Sequence, residues 1–471
     1  MHRCGNPALL AAVVLFSSAV PIRAGGPALP APAASQGSAQ ASAESAAPPL
    51  EPRPLRIQSH TLANGLRLFV IEDHTTPILN LQVWYHVGSK DERPGRTGFA
   101  HLIEHLMFKG SAHVQPEEHA RIIEASGGTD NAYTNDDVTV FWETVPSNFL
   151  ERVLWLEADR MATLTVDEAG FHSERNVVKE ERRLRVEDPP YGRVFEDLYA
   201  AAFSVHPYHH TTIGSMDDLN RATLADVQEF YRAFYRPDNA TIVIVGDAAP
   251  EACWAAAQKY FGGIPKPDQP VPRQKLVEPP QTEEKQLTKS YGANSPLPAV
   301  LEGFKIPAAF TPDSYPLNLA SNILSAGESS RLYRRLVYET QIAAQTAGIG
   351  NFTEDPNLFL AFAVMNQGKT AEEGRAAIEA VLAEIKNDPV SPGDLAKAKN
   401  QMIAGFIFGR VGDQQTADSL GLAAVIGNDP ELVNRDPGLF LRVTAADVQA
   451  AARKYLIAAR CTLMIVSPPA R

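Results

Sequence analysis

The chain has 471 residues, 44% of them hydrophobic and 21% charged, with a formal net charge of −12. That balance is globular: it excludes a collagen-like or wholly disordered chain, and the acid excess argues against a broad nucleic-acid footprint. Length allows about three domains, and thirty-six prolines are more than a globular chain of this size usually carries, so part of the chain is expected to be linker.

In chain order, His2 and Arg3 precede an apolar run over 8–20, followed by Pro21 and a cleavage-like Ile22-Arg23-Ala24. The run is shorter than the roughly 20 residues a bilayer span needs. It predicts a secretory signal peptide over 1–24 and an exported protein, periplasmic or secreted, with an uncleaved anchor as the alternative. No later segment is long and apolar enough to span. Residues 25–54 are Ala, Pro and Ser with almost no large apolar side chain and read as a disordered tether. Cys4 leaves with the signal, and Cys253 and Cys461 are expected to remain free and buried.

Strand patterns at 65–71 and 78–87 flank a turn at 72–77 and are expected to pair. Helical patterns follow at 98–108, 116–125, 148–161 and 167–186, with a strand at 138–145. This mixed order predicts an α+β domain with largely antiparallel pairing. Thr223 opens TLADVQEFYRAFYRPDNATIVIVG and Thr444 opens TAADVQAAARKYLIAARCTLMIVS, which align without a gap as a Thr-capped helix, a turn and a β-branched strand. The repeat predicts a duplicated fold, with a first half at 55–263 and a second at 287–471. Residues 264–286, rich in Pro and charge, form the linker between them.

The chemistry sits in His101-Leu102-Ile103-Glu104-His105. On a helix the two histidines are four residues apart, so both imidazoles leave one face and can grip one metal ion. Glu104 lies about a sixth of a turn from His101 and suits a general base for a metal-activated water. In the helix at 167–186, Phe171, Glu174, Val177, Val178, Glu181 and Leu184 share a face that is apolar except for its two carboxylates. Buried carboxylates need a partner, which makes Glu181 the candidate third ligand and Glu174 the carboxylate behind it. Salt bridges to Arg175, Arg182 or Arg185 are the competing reading.

Gly88-Ser89, Glu92, the stretch 98–111, Glu174-x-Asn176-x-Val178-x-x-Glu181, and Tyr235-Arg236-Pro237-Asp238-Asn239 through Gly246-Asp247 resemble the insulinase/pitrilysin family of zinc peptidases. Within it, the likeness is to the branch of the mitochondrial processing peptidase β subunit and its bacterial relatives, and it covers nearly the whole chain after the tether. It implies two α/β-sandwich halves facing each other and one zinc ion per chain, bound by His101, His105 and Glu181. Glu104 would be the base and Glu174 the supporting carboxylate of a zinc metalloendopeptidase acting on unfolded peptides or small proteins. Substrate would add as a strand along 138–144, with Asn131 as a contact, although an Asn after Gly127-Gly128 is equally a turn residue.

Members of the family that clamp substrate carry an Arg and a Tyr seven residues apart in the second half. Here the aligned positions hold Val337 and Ala344, and the second half has no H-x-x-E-H. The resemblance therefore implies a heterodimer, in which a metal-free homologous subunit supplies the Arg and Tyr; a homodimer is the other arrangement. A structural or peptide-binding subunit that keeps zinc is the competing function. The cluster His206-Pro207-Tyr208-His209-His210 lacks carboxylates and is expected to be a loop near the chamber entrance.

Overall fold

The computed structural model describes residues 52–469; the expected signal peptide and residues 25–51 of the tether lie outside the described residues. The first half carries strands β1 (Gln58–Thr61), β2 (Arg67–Glu72), β3 (Ile78–Tyr85), β4 (Thr129–Thr134), β5 (Thr139–Pro146) and β6 (Ala240–Gly246), in sheet order β1-β2-β6-β3-β5-β4. Its helices are α1 (Phe99–Leu106), α2 (Glu118–Ala125), α3 (Leu150–Thr163), α4 (Glu168–Arg182), α5 (Val194–Ala202), α6 (Met216–Arg221), α7 (Leu224–Phe234) and α8 (Pro250–Phe261). The second half carries β7 (Lys285–Ser290), β8 (Ala299–Ile306), β9 (Ala343–Gly350), β10 (Asn357–Met365) and β11 (Cys461–Ser467), in order β7-β11-β8-β10-β9. Its helices are α9 (Ser314–Ser325), α10 (Ala371–Asn387), α11 (Pro392–Phe408), α12 (Asp413–Val425), α13 (Leu432–Arg442) and α14 (Ala445–Tyr455).

The two sheets correspond strand for strand once the extra edge strand β1 is set aside. In each, one pair is parallel, β2 with β6 and β7 with β11, and the rest are antiparallel. The aligned repeat supplies equivalent pieces. Thr223 and Thr444 each close a capping box, with Asp226 and Asp447, at the start of α7 and α14, and β6 and β11 follow.

The expected pairing of β2 with β3 does not occur. β6 lies between them, with Val70 opposite Ile244 on one side and Leu81 opposite Ile244 on the other. Every residue of β6 is buried. A strand apolar on both faces is stable only in the middle of a covered sheet, and a β2–β3 hairpin would have left it at the edge.

One face of the first sheet packs Leu68, Leu81, Val83, Phe141 and Ile242 against α1, α3, α7 and α8. The other is covered from the second half, where Ala417, Leu420 and Ala424 of α12 meet Phe69, Trp84, Val140 and Val243. The exchange is reciprocal, because Val194, Leu198 and Ala202 of α5 pack on Leu301, Leu358, Phe362 and Met464 of the second sheet. At Gly421 of α12 an added Cβ would fall 2.1 Å from the Trp84 ring, so only glycine permits this approach.

A polar tie reinforces the junction. Lys90 Nζ lies 2.8 Å from Asp137 Oδ1 and 2.6 Å from Glu354 Oε2, and the Tyr208 hydroxyl donates to Asp137 Oδ1 at 2.6 Å. The His206–His210 cluster packs at this junction. Pro207–His209 form a short 3-10 turn, Tyr208 is buried in the apolar cluster around α5, and His206 Nε2 sits 3.4 Å from Asp355 Oδ2 across the junction.

The proline-rich segment is also docked. Arg236 donates to the carbonyls of Pro267 and Gln269, and Gln274 to that of Glu92. The Glu278 carboxylate accepts from the backbone of Ser204, Val205 and His206. Cys253 and Cys461 are free and buried.

Candidate metal centre

Helix α1 follows Gly98, which adopts φ +90° and has no side chain to cap it. Seven of its eight residues are buried, so the helix is held by packing on all sides. The missing cap is supplied from a distance: the Glu92 carboxylate accepts from Gly98 N and Ala100 N, both at 2.8 Å. A carboxylate at a helix N-terminus satisfies orphan N–H groups and complements the dipole, although burial pushes the Glu92 carboxyl well up despite those donors.

α4 starts at the capping residue Asp167, whose side chain accepts from Gly170 N, and packs against α1. Its buried stripe is Phe171, Glu174, Val178 and Arg182. Val177 and Leu184, expected on the same face, are 46% and 61% exposed. Their angular positions at 100° per residue place them behind that stripe, and beyond Arg182 the helix widens into a π-turn, Arg183–Glu187.

The packing brings His101, His105 and Glu181 together, with ligand-type atoms all within 4.8 Å of one another. Glu181 Oε2 lies 3.6 Å from His101 Nε2 and 3.3 Å from His105 Nε2, and its other oxygen, Oε1, lies 2.7 Å from Arg185 Nη1. Glu174 Oε2 is 3.4 Å from His105 Nδ1, and Glu174 Oε1 is 3.0 Å from Lys109 Nζ. Glu104 is buried on the same helix, and Thr134 Oγ1, at the end of β4, donates to its Oε2 at 2.7 Å.

The electrostatics of this group favour a cation. Burial lowers the His101 imidazole and works in the same direction on His105, but Glu174 and Glu181 outweigh it there and hold His105 up to about 9. Burial would raise Glu181, yet His105, His101 and Arg185 bring it down to about 2. A place that stabilises positive charge on an imidazole between two carboxylates also suits a divalent metal. Two imidazole nitrogens and one carboxylate oxygen form the donor set of a zinc site that keeps a position open, and Glu174 behind His105 is the kind of carboxylate that orients such a ligand. The buried His101 Nδ1 has no hydrogen-bond partner, and Nε2 is the nitrogen turned toward Glu181.

Asn131 lies on β4 opposite Trp142, and its Oδ1 accepts from the backbone of Ala132 at 2.8 Å. Like β1 at the other end of the first sheet, β4 is an edge strand. The segment 138–144, expected to present that edge, belongs to β5, which is paired on both sides with β3 and β4. Val337 lies in a second π-turn, Tyr333–Glu339, and Ala344 in the edge strand β9.

A second group, His119, Glu143 and Glu157, also places ligand-type atoms within 4.8 Å. There the carboxylate oxygens facing His119 already accept from Arg160, 3.2 Å from Glu143 and bonded directly to Glu157, whose guanidinium stacks on Phe141. An arginine that is always charged fills the cation's role, so the group is a buried ion-pair cluster beneath β4.

Glu92, Thr134 and Lys109 take part in the site without any periodic sequence signal. Thr134 and Glu92 reach it only through sheet and loop packing. The Glu181–Arg185 spacing of four was visible, but as a competing explanation for the carboxylate.

Comparison with known proteins gives a consistent picture. The family profile described as "Insulinase (Peptidase family M16)" matches residues 67–215, and that described as "Peptidase M16 inactive domain" matches 221–402. The chain is 30% identical over 414 residues to "Zinc protease PqqE" of Helicobacter pylori, covering 87% of this chain and 93% of that one. It is 24% identical over 422 residues, 87% of this chain and 78% of the other, to an Arabidopsis thaliana protein named "Probable mitochondrial-processing peptidase subunit beta, mitochondrial". The crystal structure of a protease from Helicobacter pylori superposes with a TM-score of 0.85 at 29% identity, covering 88% of this chain and all of that one.

Proposed function

Since the chain belongs to the insulinase family, peptidase family M16, we propose that it is a zinc-dependent endopeptidase that cuts unfolded peptides or small proteins. The observation that carries the reading is the convergence of His101, His105 and Glu181 beside the buried Glu104. These lie within the stretch matched to the insulinase profile, whereas the profile described as inactive covers 221–402. His101, His105 and Glu181 hold one zinc ion, which when bound supplies a Lewis acid that polarises the scissile carbonyl and acidifies water.

Glu104 takes the proton from the attacking water and delivers it to the leaving amine. Its hydrogen bond from Thr134 fixes the orientation of the carboxylate, and Glu174 fixes the ring of His105. The edge strand β4 receives the substrate as an added strand, with Asn131 among its contacts. Because β4 ends at Thr134, substrate alignment and the placing of the base depend on one strand.

The remaining proposals concern context. The signal-like segment 1–24 directs export to the periplasm or beyond, and 25–54 is a tether. Residues 55–263 and 287–471 act as the two domains on either side of the 264–286 linker, whose last two residues, Lys285 and Gln286, already pair in β7. Among the described residues no helix is long and apolar enough to cross a membrane. Val337 and Ala344 stand where substrate-clamping relatives carry Arg and Tyr, which favours a metal-free homologous partner supplying both, ahead of a homodimer. A peptide-binding or structural subunit that keeps zinc is the second reading, favoured by that same incomplete second half.

Zinc content and cleavage of an unstructured peptide library, with and without chelator, test the proposal. We expect one zinc per chain, chelator-sensitive cleavage, and a Glu104→Gln variant that keeps the metal and loses turnover. Stoichiometric zinc without cleavage, alone or with the product of a neighbouring gene, would establish the second reading. A fully active homodimer in native-mass measurements would refute the heterodimer.

A further inference from the structure

We propose that Arg185 is a positioning residue that sets how Glu181 meets the metal, restricting it to a single oxygen; the inference rests on the zinc reading above. The two oxygens of Glu181 are in different company. Oε2 faces both imidazoles, at 3.3 and 3.6 Å, while Oε1 lies 2.7 Å from Arg185 Nη1. A carboxylate beside a divalent metal can give one oxygen or two. An arginine on Oε1 removes the second choice and leaves a coordination position for water.

Arg185 is 38% exposed, and an ordinary surface ion pair of that kind contributes little. Its backbone, however, is fixed on both sides. Before it, Arg182 is buried and donates to Gly214 O at 2.6 Å and Glu196 Oε2 at 3.0 Å. After it, the carbonyl of Glu187 accepts from Asn294 Nδ2 at 2.7 Å, and Asp188 N closes the π-turn on Arg183 O at 2.8 Å. A π-turn directly after a ligand helix is a frequent mark of a functional position.

The same division of labour recurs at Glu174, whose Oε2 turns to His105 and Oε1 to Lys109. Glu181 and Glu174 therefore each give one oxygen inward and have the other held from outside by a cation.

The test uses full-length protein stripped with chelator and refilled with cobalt(II), whose visible bands are intense at four-coordination and weaker at five. Zinc affinity is read in parallel by competition with a chromophoric chelator. We expect the wild type to take one cobalt with intense bands, Arg185→Met to show the weaker five-coordinate spectrum with zinc bound at least about tenfold more weakly, and Arg185→Lys to fall between. A wild-type spectrum that is already five-coordinate, or an unchanged spectrum in Arg185→Met, overturns the proposal while leaving the zinc site standing. Failure of the wild type to bind either metal overturns the zinc reading itself.

Discussion

Replacing Glu92 by Ala removes the side chain that caps the helix carrying His101, Glu104 and His105. Two backbone N–H groups, of Gly98 and Ala100, lose acceptors at 2.8 Å, and Glu92 itself is 2% exposed, so water does not replace it. A hydrogen bond to a charged group is worth about 1.5–3 kcal/mol net, and an orphaned buried donor costs about 1–3 kcal/mol. The expense of burying the carboxylate, which pushes its pKa well up, offsets part of the loss. The net destabilisation is therefore about 2–4 kcal/mol. Glu92→Gln keeps one acceptor but turns an amide donor toward a backbone donor, and should lose about 1–2 kcal/mol.

Urea unfolding of the zinc-free protein measures these values, and zinc competition measures the effect on the site, since His101 lies in the first turn that Glu92 anchors. We expect both stability and zinc affinity to fall in the order wild type, Gln, Ala. If Glu92→Ala unfolds within about 0.5 kcal/mol of wild type, the cap is not holding the helix and the reasoning fails.

Gly421→Ala drives a methyl group into Trp84 between the halves and should cost about 1–3 kcal/mol as an overpacked core; calorimetry checks it, and Trp84→Leu in the same chain should recover part of the loss. Thr134→Val removes the donor to Glu104 Oε2 without changing side-chain size, and should lower kcat about tenfold with little change in KM, the signature of an interaction needed in the transition state. Burial lowers the Lys305 ammonium to about 7, only partly opposed by Glu278. Its folded pKa thus lies below the unfolded value of about 10.4, so the cost of burial is whole below pH 7 and eases as pH rises from about 7 to 10. Lys305→Met should raise the melting temperature at pH 6 and flatten that slope, and equal melting temperatures for the two proteins at pH 6 would contradict it.

The candidate ligands His101, His105 and Glu181, which the fold brings together, were picked out in the sequence by local constraints. Four-residue spacing aligns His101 with His105 on any helix, and a carboxylate beside an apolar helix stripe asks for a partner, although only Glu174 of the two proved to lie in the buried stripe itself. The duplication was legible for a similar reason: the Thr-Asp capping boxes and the strands that follow them are short-range patterns repeated in register. Where a pattern mixed two faces, as with Val177 and Leu184, the reading went wrong because the apolar character of a residue does not say which neighbour will cover it.

Strand order lay beyond any local pattern. The turn at 72–77 permits a hairpin as readily as it permits β6 to enter between β2 and β3, and the decision belongs to the strand that gains most from being covered on both sides. The place of β4 at the sheet edge, with β5 inside it, follows from that order, as does the arrival of Thr134 at Glu104. The exchange of α5 and α12 between the sheets, and the docking of the proline-rich segment, depend on surfaces far apart in the chain. The sequence alone determined which residues can hold a metal. The tertiary structure decided which oxygen of Glu181 faces them and what holds the helix that carries them, because those contacts are made by chain segments whose meeting no local periodicity encodes.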